Sequence, residues 1–335
     1  MYRFLIVGCG GVGVMAAYTL DLCPEVEVTA VVRSDYDVVV ERGYQIKSVD
    51  YGTIGCYRPK NVVRSVDEAA KSGTYDYVIV STKNIPDISR VEDLIEGVVT
   101  PETVIVLLQN GIHIDQPVIA KFPRTVVLSG VSMISSTIYN AKIAHETHDS
   151  LTVGYFRNGN ISEDVQEQAA RKFVEYYHND KNECKYDADV NFTRWRKLVY
   201  NATLNPICAL TDVDVGRVEL FGGNDALVKT AMKEVYAMAA SDNVILPPEV
   251  MDFMLHSDDG VYYAPSMLVD IRKGNYVEVE VILGNAVRVA QKNGVAAPML
   301  TLIYHLLLIV QKRTMEEKGW IQVPVQRLLG VVLDV

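Results

Sequence analysis

The chain has 335 residues, 49% hydrophobic and 22% charged, which is typical of a folded globular protein with room for two domains. Its formal net charge of -10 argues against a general nucleic-acid binder, because phosphate contacts need clustered Lys and Arg. The five cysteines have no C-x-x-C spacing, which argues against a zinc site or a disulfide framework and favours a reducing compartment such as the cytoplasm.

A glycine-rich motif directly follows the first predicted strand. The run from Phe4 to Leu20 carries no charge, but its glycines argue against a signal or membrane segment, and we predict strand, turn and helix. The motif fits G-x-G-x-x-G, in which the glycines permit a tight turn, close approach of a pyrophosphate, and packing of helix on strand. It predicts a dinucleotide site formed by Gly8, Cys9, Gly10, Gly11, Val12 and Gly13, with Cys9 as a small filler.

A second predicted strand, Val26 to Val32, is followed by a basic residue. Arg33 occupies the position, about 20 residues after the motif, where NAD-binding proteins carry Asp or Glu. Arg33 and the Ser34 hydroxyl would pair with a 2′-phosphate, which a carboxylate would repel. The sequence therefore predicts NADPH as the cofactor. An exposed arginine at a strand end is the alternative, and the nearby Asp35 leaves the preference open.

Two further predicted strands end in polar residues. The strand at 75–82 leads into Lys83, and the strand at 103–108 leads into Asn110. Because ligands bind at the carboxyl ends of strands in an open parallel sheet, we expect both side chains on the same rim as the glycine motif. Asn110 also fits an ordinary Asn-Gly turn. Alternating strands and helices predict an α/β, Rossmann-like doubly wound sheet, extended by apolar stretches at 126–128 and 150–154.

The segment from Ala144 to Asp149 combines two histidines with two acidic residues. Its spacing differs from the helical H-E-x-x-H zinc site, and no cysteine is close in sequence. We therefore predict a polar loop and no metal.

From about residue 189 onward the sequence patterns are helical. We predict a dinucleotide-binding domain over 1–188 and an all-helical domain over 189–335, with helices at 225–240 and 277–293. We expect the ligand site at the interface of the two domains. The apolar run at 302–310 is too short to span a bilayer. The oligomeric state, including a homodimer, and the role of the apolar tail at 323–335 stay open.

The first helix of this second domain carries a polar stripe. We predict a single helix from Trp195 to Pro206, kinked or ended by the proline. Lys197, Asn201 and Asn205 are spaced four residues apart, so they project from nearly one face. A solvated surface is the simpler explanation, but two poor helix formers on one face favour specific hydrogen bonding. A lysine flanked by carboxamides suits an oxygen-rich small molecule.

Carboxylates further along the chain could complete the site. Ser266 and Asp270 lie one turn apart on a predicted helix, and Glu278 and Glu280 follow. Each also fits a helix cap or a surface charge.

These motifs occur in order along almost the whole chain, and together they resemble the ketopantoate reductase family. Members of that family use NADPH to reduce 2-dehydropantoate to pantoate on the route to pantothenate and coenzyme A. The matching segments are the glycine motif, Arg33-Ser34, Lys83, Gln109-Asn110-Gly111, the W-x-K-L-x-x-N-x-x-x-N-P run at 195–206, and Ser266-Met267-Leu268-x-Asp270-Ile271-Arg272 with Glu278 beyond.

The resemblance implies a role for each matching residue. Lys197 would be the general acid, because an ammonium stabilises the charge that develops on oxygen as hydride reaches the keto carbon. Glu278 would help to hold the substrate beside it. The implied substrate contacts are Asn201, Asn205, Ser266 and Asp270, and the implied NADPH contacts are the glycine motif, Arg33, Ser34, Lys83 and Asn110.

Some positions depart from the family pattern. Glu280 and Leu283 replace the usual Asp and Asn, and Asp212-Val213-Asp214 stands where an asparagine is often found. Two alternatives therefore stay open. One is a related reductase acting on another branched 2-oxo acid, and the other is a non-catalytic protein that binds or senses NADPH.

Overall fold

A computed structural model describes residues 1–326, and the chain divides into two compact units, Met1–Thr193 and Arg194–Val335. Most of the apolar tail that the sequence analysis left open lies outside the described residues. None of the helices within residues 1–326 combines the length and the apolar character that a membrane crossing requires.

Unit 1 contains twelve strands that belong to two sheets. Their bounds are β1 Tyr2–Val7, β2 Val26–Val31, β3 Tyr44–Ser48, β4 Gly52–Tyr57, β5 Asn61–Val63, β6 Tyr77–Val80, β7 Val104–Leu107, β8 Val126–Met133, β9 Ser136–Tyr139, β10 Lys142–His145, β11 Ser150–Tyr155 and β12 Glu183–Tyr186.

The larger sheet has eight strands in the order β12-β11-β8-β7-β6-β1-β2-β5. Every pair in it is parallel except β8 and β11, which run antiparallel. Non-consecutive neighbours such as β1 and β6 require crossovers, as in a doubly wound sheet. The prediction of a Rossmann-like, mostly parallel sheet is confirmed.

Helices flank this sheet and bury its apolar strands. They are α1 Gly11–Asp21, α2 Tyr36–Arg42, α3 Val66–Ala70, α4 Val91–Leu94, α5 Gln116–Lys121 and α6 Glu163–Tyr177, with a 3-10 turn at Glu96–Val98. The ring of Phe4 in β1 stacks on Tyr77 at 4.5 Å between centroids, and Phe173 of α6 lies 5.8 Å from Tyr77. Such aromatic pairs contribute about 0.5–1.5 kcal/mol beyond their buried area, so α6 is held firmly on the centre of the sheet.

The smaller sheet was not predicted, and it has the order β4-β3-β10-β9. It corrects the prediction of a polar loop at 144–149, because Ala144 and His145 belong to β10. His145 is buried, and its Nδ1 lies 2.8 Å from the Ser48 hydroxyl on the neighbouring strand β3. The remaining histidine, His148, lies 2.8 Å from the Asp50 carboxylate, which raises its pKa. The polar residues here therefore hold a strand and its turn in place.

Unit 2 is built from helices, as the sequence predicts. After α7 Val190–Asn201, which crosses the boundary between the units, come α8 Leu204–Thr211, α9 Val215–Leu220, α10 Lys229–Ser241, α11 Glu249–Leu255, α12 Ser266–Arg272, α13 Asn285–Asn293 and α14 Pro298–Glu317. Single π-helical turns at Asn224–Val228 and Glu280–Gly284 lead directly into α10 and α13.

The prediction of one helix over 195–206 is wrong. Helix α7 ends at Asn201, and Thr203 takes a non-helical conformation at φ -122°, ψ -74° before α8 begins. The Thr203 hydroxyl donates to the Val199 carbonyl at 2.5 Å, so it satisfies one of the last acceptors of α7. Pro206 then lies in the first turn of α8, where its missing N-H removes no intrahelical bond. The proline therefore belongs to the first turn of a second helix and does not end the first one.

Candidate active site

The three motif glycines have different structural reasons to be glycine. Gly8 follows β1 at φ +106°, and a Cβ there would lie 2.5 Å from the Thr82 nitrogen. A Cβ at Gly13 would lie 1.9 Å from the Gly8 carbonyl oxygen. A Cβ at Gly10 would meet no atom within 4 Å. The turn and the packing of α1 therefore require Gly8 and Gly13, whereas Gly10 leaves open space beside the backbone.

The start of α1 lies at this open space. The first intrahelical bond runs from the Val14 N-H to the Gly10 carbonyl, so the N-H groups of Gly11, Val12 and Gly13 precede the ladder. Such groups, together with the positive end of the helix dipole, form a site for phosphate. Gly11 has a further constraint, since its Cβ would lie 2.1 Å from the Ser136 carbonyl of β9.

Cys9 lies inside the motif but does not offer a reactive thiol. Burial raises its pKa to about 12, so the thiol stays protonated near neutral pH. This is the behaviour expected of a small filler in the turn.

Hydrogen bonds tie the carboxyl ends of β1, β6 and β7 together. The Ser81 hydroxyl donates to the Gly8 carbonyl at 2.6 Å, and the Gln109 amide donates to the Thr82 carbonyl at 2.8 Å. Lys83, which is exposed, and Asn110, which is half-buried, are the residues that directly follow these contacts in sequence. The structure therefore brings the Lys83 and Asn110 segments to the same rim as the glycine motif.

The segment after β2 exposes the basic side chain of Arg33, whereas the acidic side chain of Asp35 is hydrogen-bonded to another segment. Arg33 and Ser34 are exposed directly beyond the strand. The Asp35 carboxylate accepts a hydrogen bond from the Ala141 N-H at 3.1 Å, in the turn between β9 and β10. The carboxylate that left the cofactor preference open is thus engaged by the smaller sheet.

Sequence reasoning missed a second arginine at this position in the fold. Strand β5 pairs with β2, and the Val32 N-H donates to the Val63 carbonyl at 2.8 Å, so Arg64 follows the strand next to the one that precedes Arg33. The Arg64 guanidinium lies 3.9 Å from the centre of the Tyr36 ring and pairs with Asp37. The detectable signal is a basic residue after a short apolar run, and β5 is too short to be recognised with confidence from periodicity.

In unit 2, two carboxamides meet across the break between α7 and α8. Asn205 is 2% exposed, and its Nδ2 donates to the Asn201 Oδ1 at 3.3 Å. The Asn205 Oδ1 accepts from the Met267 N-H, also at 3.3 Å, in the first turn of α12. The stripe predicted on one continuous helix is therefore assembled from two helices, and it reaches α12.

Helix α12 brings two more of the predicted residues to this place. Ser266 is its first residue and is exposed, whereas Asp270, one turn later, is buried. Ser266 directly precedes Met267, whose N-H is bound by Asn205. The backbone of Ser266 is thus held next to the residue that Asn205 binds.

Lys197 and Glu278 supply opposite charges to unit 2. Lys197 is half-buried and lies one turn before Asn201 on α7, and Glu278 is 4% exposed just before the π-helical turn that precedes α13. Glu280 has a different environment: it accepts from the Tyr304 hydroxyl at 2.7 Å and pairs with Arg288 at 2.8 Å. Its two partners show that Glu280 ties α13 to α14.

Comparison with known proteins gives matches along most of the chain. Family models described as ketopantoate reductase PanE/ApbA and its C-terminal part match residues 4–158 and 189–311. An uncharacterised protein of Saccharomyces cerevisiae is 40% identical over 345 residues, covering 95% of this chain and 96% of its own length. The crystal structure of 2-dehydropantoate 2-reductase from Methylococcus capsulatus is 32% identical, with a TM-score of 0.79, covering 93% of this chain and 97% of that one.

A structure of lower sequence identity shares the fold. A D-mandelate dehydrogenase solved with NADH and anilino(oxo)acetate has a TM-score of 0.80 at 21% identity, covering 94% of this chain and 99% of its own. The two family models together span both units, and they agree with the Rossmann-like sheet, the glycine motif and the helical second unit. The chain belongs to the ketopantoate reductase family and is an oxidoreductase of that family.

Proposed function

We propose that the protein reduces 2-dehydropantoate to pantoate with NADPH, and that Lys197 is the general acid. The observation that carries the proposal is the buried pair Asn201 and Asn205. Asn201 lies one turn beyond Lys197 on α7, and Asn205 is bonded both to Asn201 and to the first turn of α12. A lysine and two carboxamides form a donor-rich set for the keto and carboxylate oxygens of a small 2-oxo acid.

The residues of unit 1 fit a dinucleotide with a 2′-phosphate. Gly10 leaves the space that a pyrophosphate needs, and the first N-H groups of α1 point toward it. Arg33 and Ser34 are exposed at the end of β2, and Asp35 is already bonded to Ala141. We therefore propose NADPH as the cofactor, with Lys83 and Asn110 as further contacts on the same rim. Bound NADPH would supply the hydride.

The chain's own residues would handle the substrate oxygens and the proton. The Lys197 ammonium would bind the keto oxygen, stabilise the negative charge that develops on it and then donate a proton. Asn201, Asn205 and Ser266 would orient the acid through hydrogen bonds. The buried carboxylates Glu278 and Asp270 would fix the lysine and the substrate hydroxyl, because a buried carboxylate needs charged or hydrogen-bonding partners.

A second candidate is reduction of another branched 2-oxo acid with the same lysine. It is favoured by Glu280, which replaces the family's usual Asp and is engaged by Tyr304 and Arg288. The mandelate dehydrogenase of the same fold was solved with an anilino-substituted oxoacetate, which supports binding of an oxoacetate with a bulky side group in this fold. A non-catalytic NADPH-binding protein is the third possibility, which a turnover assay separates from both reductases.

The deciding experiment follows NADPH oxidation by absorbance with 2-dehydropantoate and a panel of 2-oxo acids. We expect 2-dehydropantoate to be preferred, and we expect Lys197→Ala to lower kcat by about 10²–10⁴-fold, the usual contribution of a general acid. Lys233→Ala, which removes an exposed lysine of the same unit, is the matched control and should keep full activity. Preference for another acid supports the second candidate. NADPH binding without turnover on any acid would refute catalysis.

A further inference from the structure

A cavity of about 250 Å³ lies wholly within unit 2. It is formed by the start of α8, by α9, by the end of α11 and by the loop at 256–265 that leads into α12. The volume is close to the lower end of the range for small-molecule sites, which is about 300–1,000 Å³. A molecule of a few carbon atoms with one polar group would fill it.

The charged side chains that line this cavity are all acidic. Glu219, Asp258 and Asp259 contribute carboxylates, and among its described lining residues there is no Lys, Arg or His. Asn224 also lines the cavity, but its amide oxygen is itself buried and does not face the open space. A ligand would therefore meet acceptors and negative charge, and it must bring donors and positive charge.

Asp258 is the carboxylate placed deepest among the three. It is half-buried, whereas Glu219 and Asp259 are exposed, and the Tyr200 hydroxyl donates to its Oδ2 at 2.6 Å. Burial raises its pKa, because a neutral donor compensates a desolvated carboxylate less well than a cation does. Asp259 already has the His256 ring 3.1 Å away, outside the cavity lining. Asp258 is thus the carboxylate that gains most from a cationic ligand.

Apolar side chains make up most of the remaining wall. Leu204 and Val215 are buried, Leu255 is half-buried, and Tyr262 is exposed at the rim. The Arg217 guanidinium lies 4.7 Å from the centre of the Tyr262 ring and pairs with Asp214, so this cation is committed outside the cavity. The wall suits a short branched alkyl group.

We propose that this cavity is a binding site for a small organic ammonium ion with a short, branched apolar body. The ammonium would lie against Asp258, and the alkyl group would pack on Leu204, Val215 and Leu255. The site is distinct from the residues proposed for NADPH and the keto acid. It is close to them in sequence. Tyr200, which binds Asp258, directly precedes Asn201, and Leu204, which lines the cavity, directly precedes Asn205.

The test is calorimetric titration of the full chain with 3-methylbutylamine. Its neutral and anionic counterparts, 3-methylbutan-1-ol and 3-methylbutanoate, and Mg²⁺ as an inorganic cation are titrated in parallel. We expect saturable binding of the amine, at least about tenfold tighter than that of the alcohol, which corresponds to one charge-assisted hydrogen bond. We expect no binding of the carboxylate. Cofactor and keto acid are absent, so the result is independent of the reductase proposal.

Two variants locate the binding. Asp258→Asn keeps an acceptor for Tyr200 and should weaken amine binding by about tenfold or more, whereas Glu317→Gln, an exposed acid of the same unit outside the cavity, should leave it unchanged. If Asp258→Asn melts early, Asp259→Asn replaces it, with a smaller loss expected. Equal binding of amine and alcohol, tighter binding of Mg²⁺, or a wild-type affinity in both variants would overturn the proposal.

Discussion

Replacing Gly10 by alanine should weaken cofactor binding, whereas replacing Gly13 by alanine should lower the stability of the fold. Both residues belong to one motif and lie three positions apart, yet their surroundings differ. The Cβ of Gly13→Ala would lie 1.9 Å from the Gly8 carbonyl oxygen and 2.5 Å from the Ser81 hydroxyl. The Cβ of Gly10→Ala would meet nothing within 4 Å.

The contacts give the size of each effect. At Gly13 a backbone atom blocks the new methyl group, so α1 must move by about an ångström, and overpacking of this kind costs about 1–3 kcal/mol. That corresponds to a fall in Tm of about 2–12 °C for a unit of this size. Gly10 has φ -75° and ψ -172°, which alanine adopts without strain. Alanine is a poorer N-cap than glycine, but it lowers the conformational entropy of the unfolded chain, so the two effects on stability nearly cancel, to within about 1 kcal/mol.

Cofactor binding should show the opposite order. The methyl group of Gly10→Ala occupies the space left for the pyrophosphate, so we expect the Kd for NADPH to rise by at least about tenfold, equivalent to one lost charge-assisted hydrogen bond. The assay is thermal unfolding without cofactor, followed by titration of NADPH. Gly159→Ala is the control, because its Cβ also meets nothing within 4 Å. Wild-type NADPH affinity in Gly10→Ala, or equal Tm values for Gly10→Ala and Gly13→Ala, would refute the reasoning.

Three further predictions concern single side chains. Arg33→Ala should raise the Kd for NADPH by about 10–100-fold and leave that for NADH unchanged, because only the former carries the 2′-phosphate; parallel titrations that change equally would contradict this. Burial raises the pKa of Asp21 to about 6 from 3.8, so the folded chain holds a proton that the unfolded chain releases in that interval, and stability falls as pH rises through it. In urea unfolding from pH 4 to pH 6, the free energy of unfolding of Asp21→Asn should fall less with rising pH than that of the wild type. An equal fall in both proteins would exclude Asp21 as its source. Asn205→Ala should lower the free energy of unfolding by about 1–3 kcal/mol, since the Met267 N-H loses its partner, and a wild-type urea midpoint would contradict that.

The larger sheet could be predicted because its strands are continuous apolar runs. Phe4 to Val7 is buried on both faces, and the same holds for β6 and most of β7, so each stands out in the sequence between polar ends. The glycine motif gave the position of α1 for a related reason, since its spacing matches a turn that only glycine allows.

The smaller sheet escaped prediction for two physical reasons. Strand β4 carries two glycines and is mostly exposed, so it lacks an apolar face that a pattern would show. Strand β3 does alternate buried and exposed residues, but its five positions are too few to separate a strand from chance. Its partner β10 is about a hundred residues away in sequence, and such long-range pairing leaves no local signal.

The break between α7 and α8 depends on a contact that the sequence pattern does not contain. The stripe Lys197, Asn201, Asn205 has perfect helical spacing, and Pro206 was the evident place for an interruption. The chain instead turns at Thr203, whose hydroxyl binds the Val199 carbonyl. The two carboxamides stay adjacent across the break because they bond to each other, so the grouping of the site was predictable although its backbone was not.

Under the proposed preference for NADPH, the bond between Asp35 and Ala141 would make the choice of nucleotide depend on two distant segments. Its partners are 106 positions apart, and the second lies in a tight turn where Asn140 and Ala141 both have positive φ. A relative that lengthens this turn would release a carboxylate beside Arg33 and shift the balance toward NADH without any change in the nucleotide-binding motif. Cofactor preference among relatives of this chain should therefore follow the length and conformation of the β9–β10 turn as closely as the identity of residue 33.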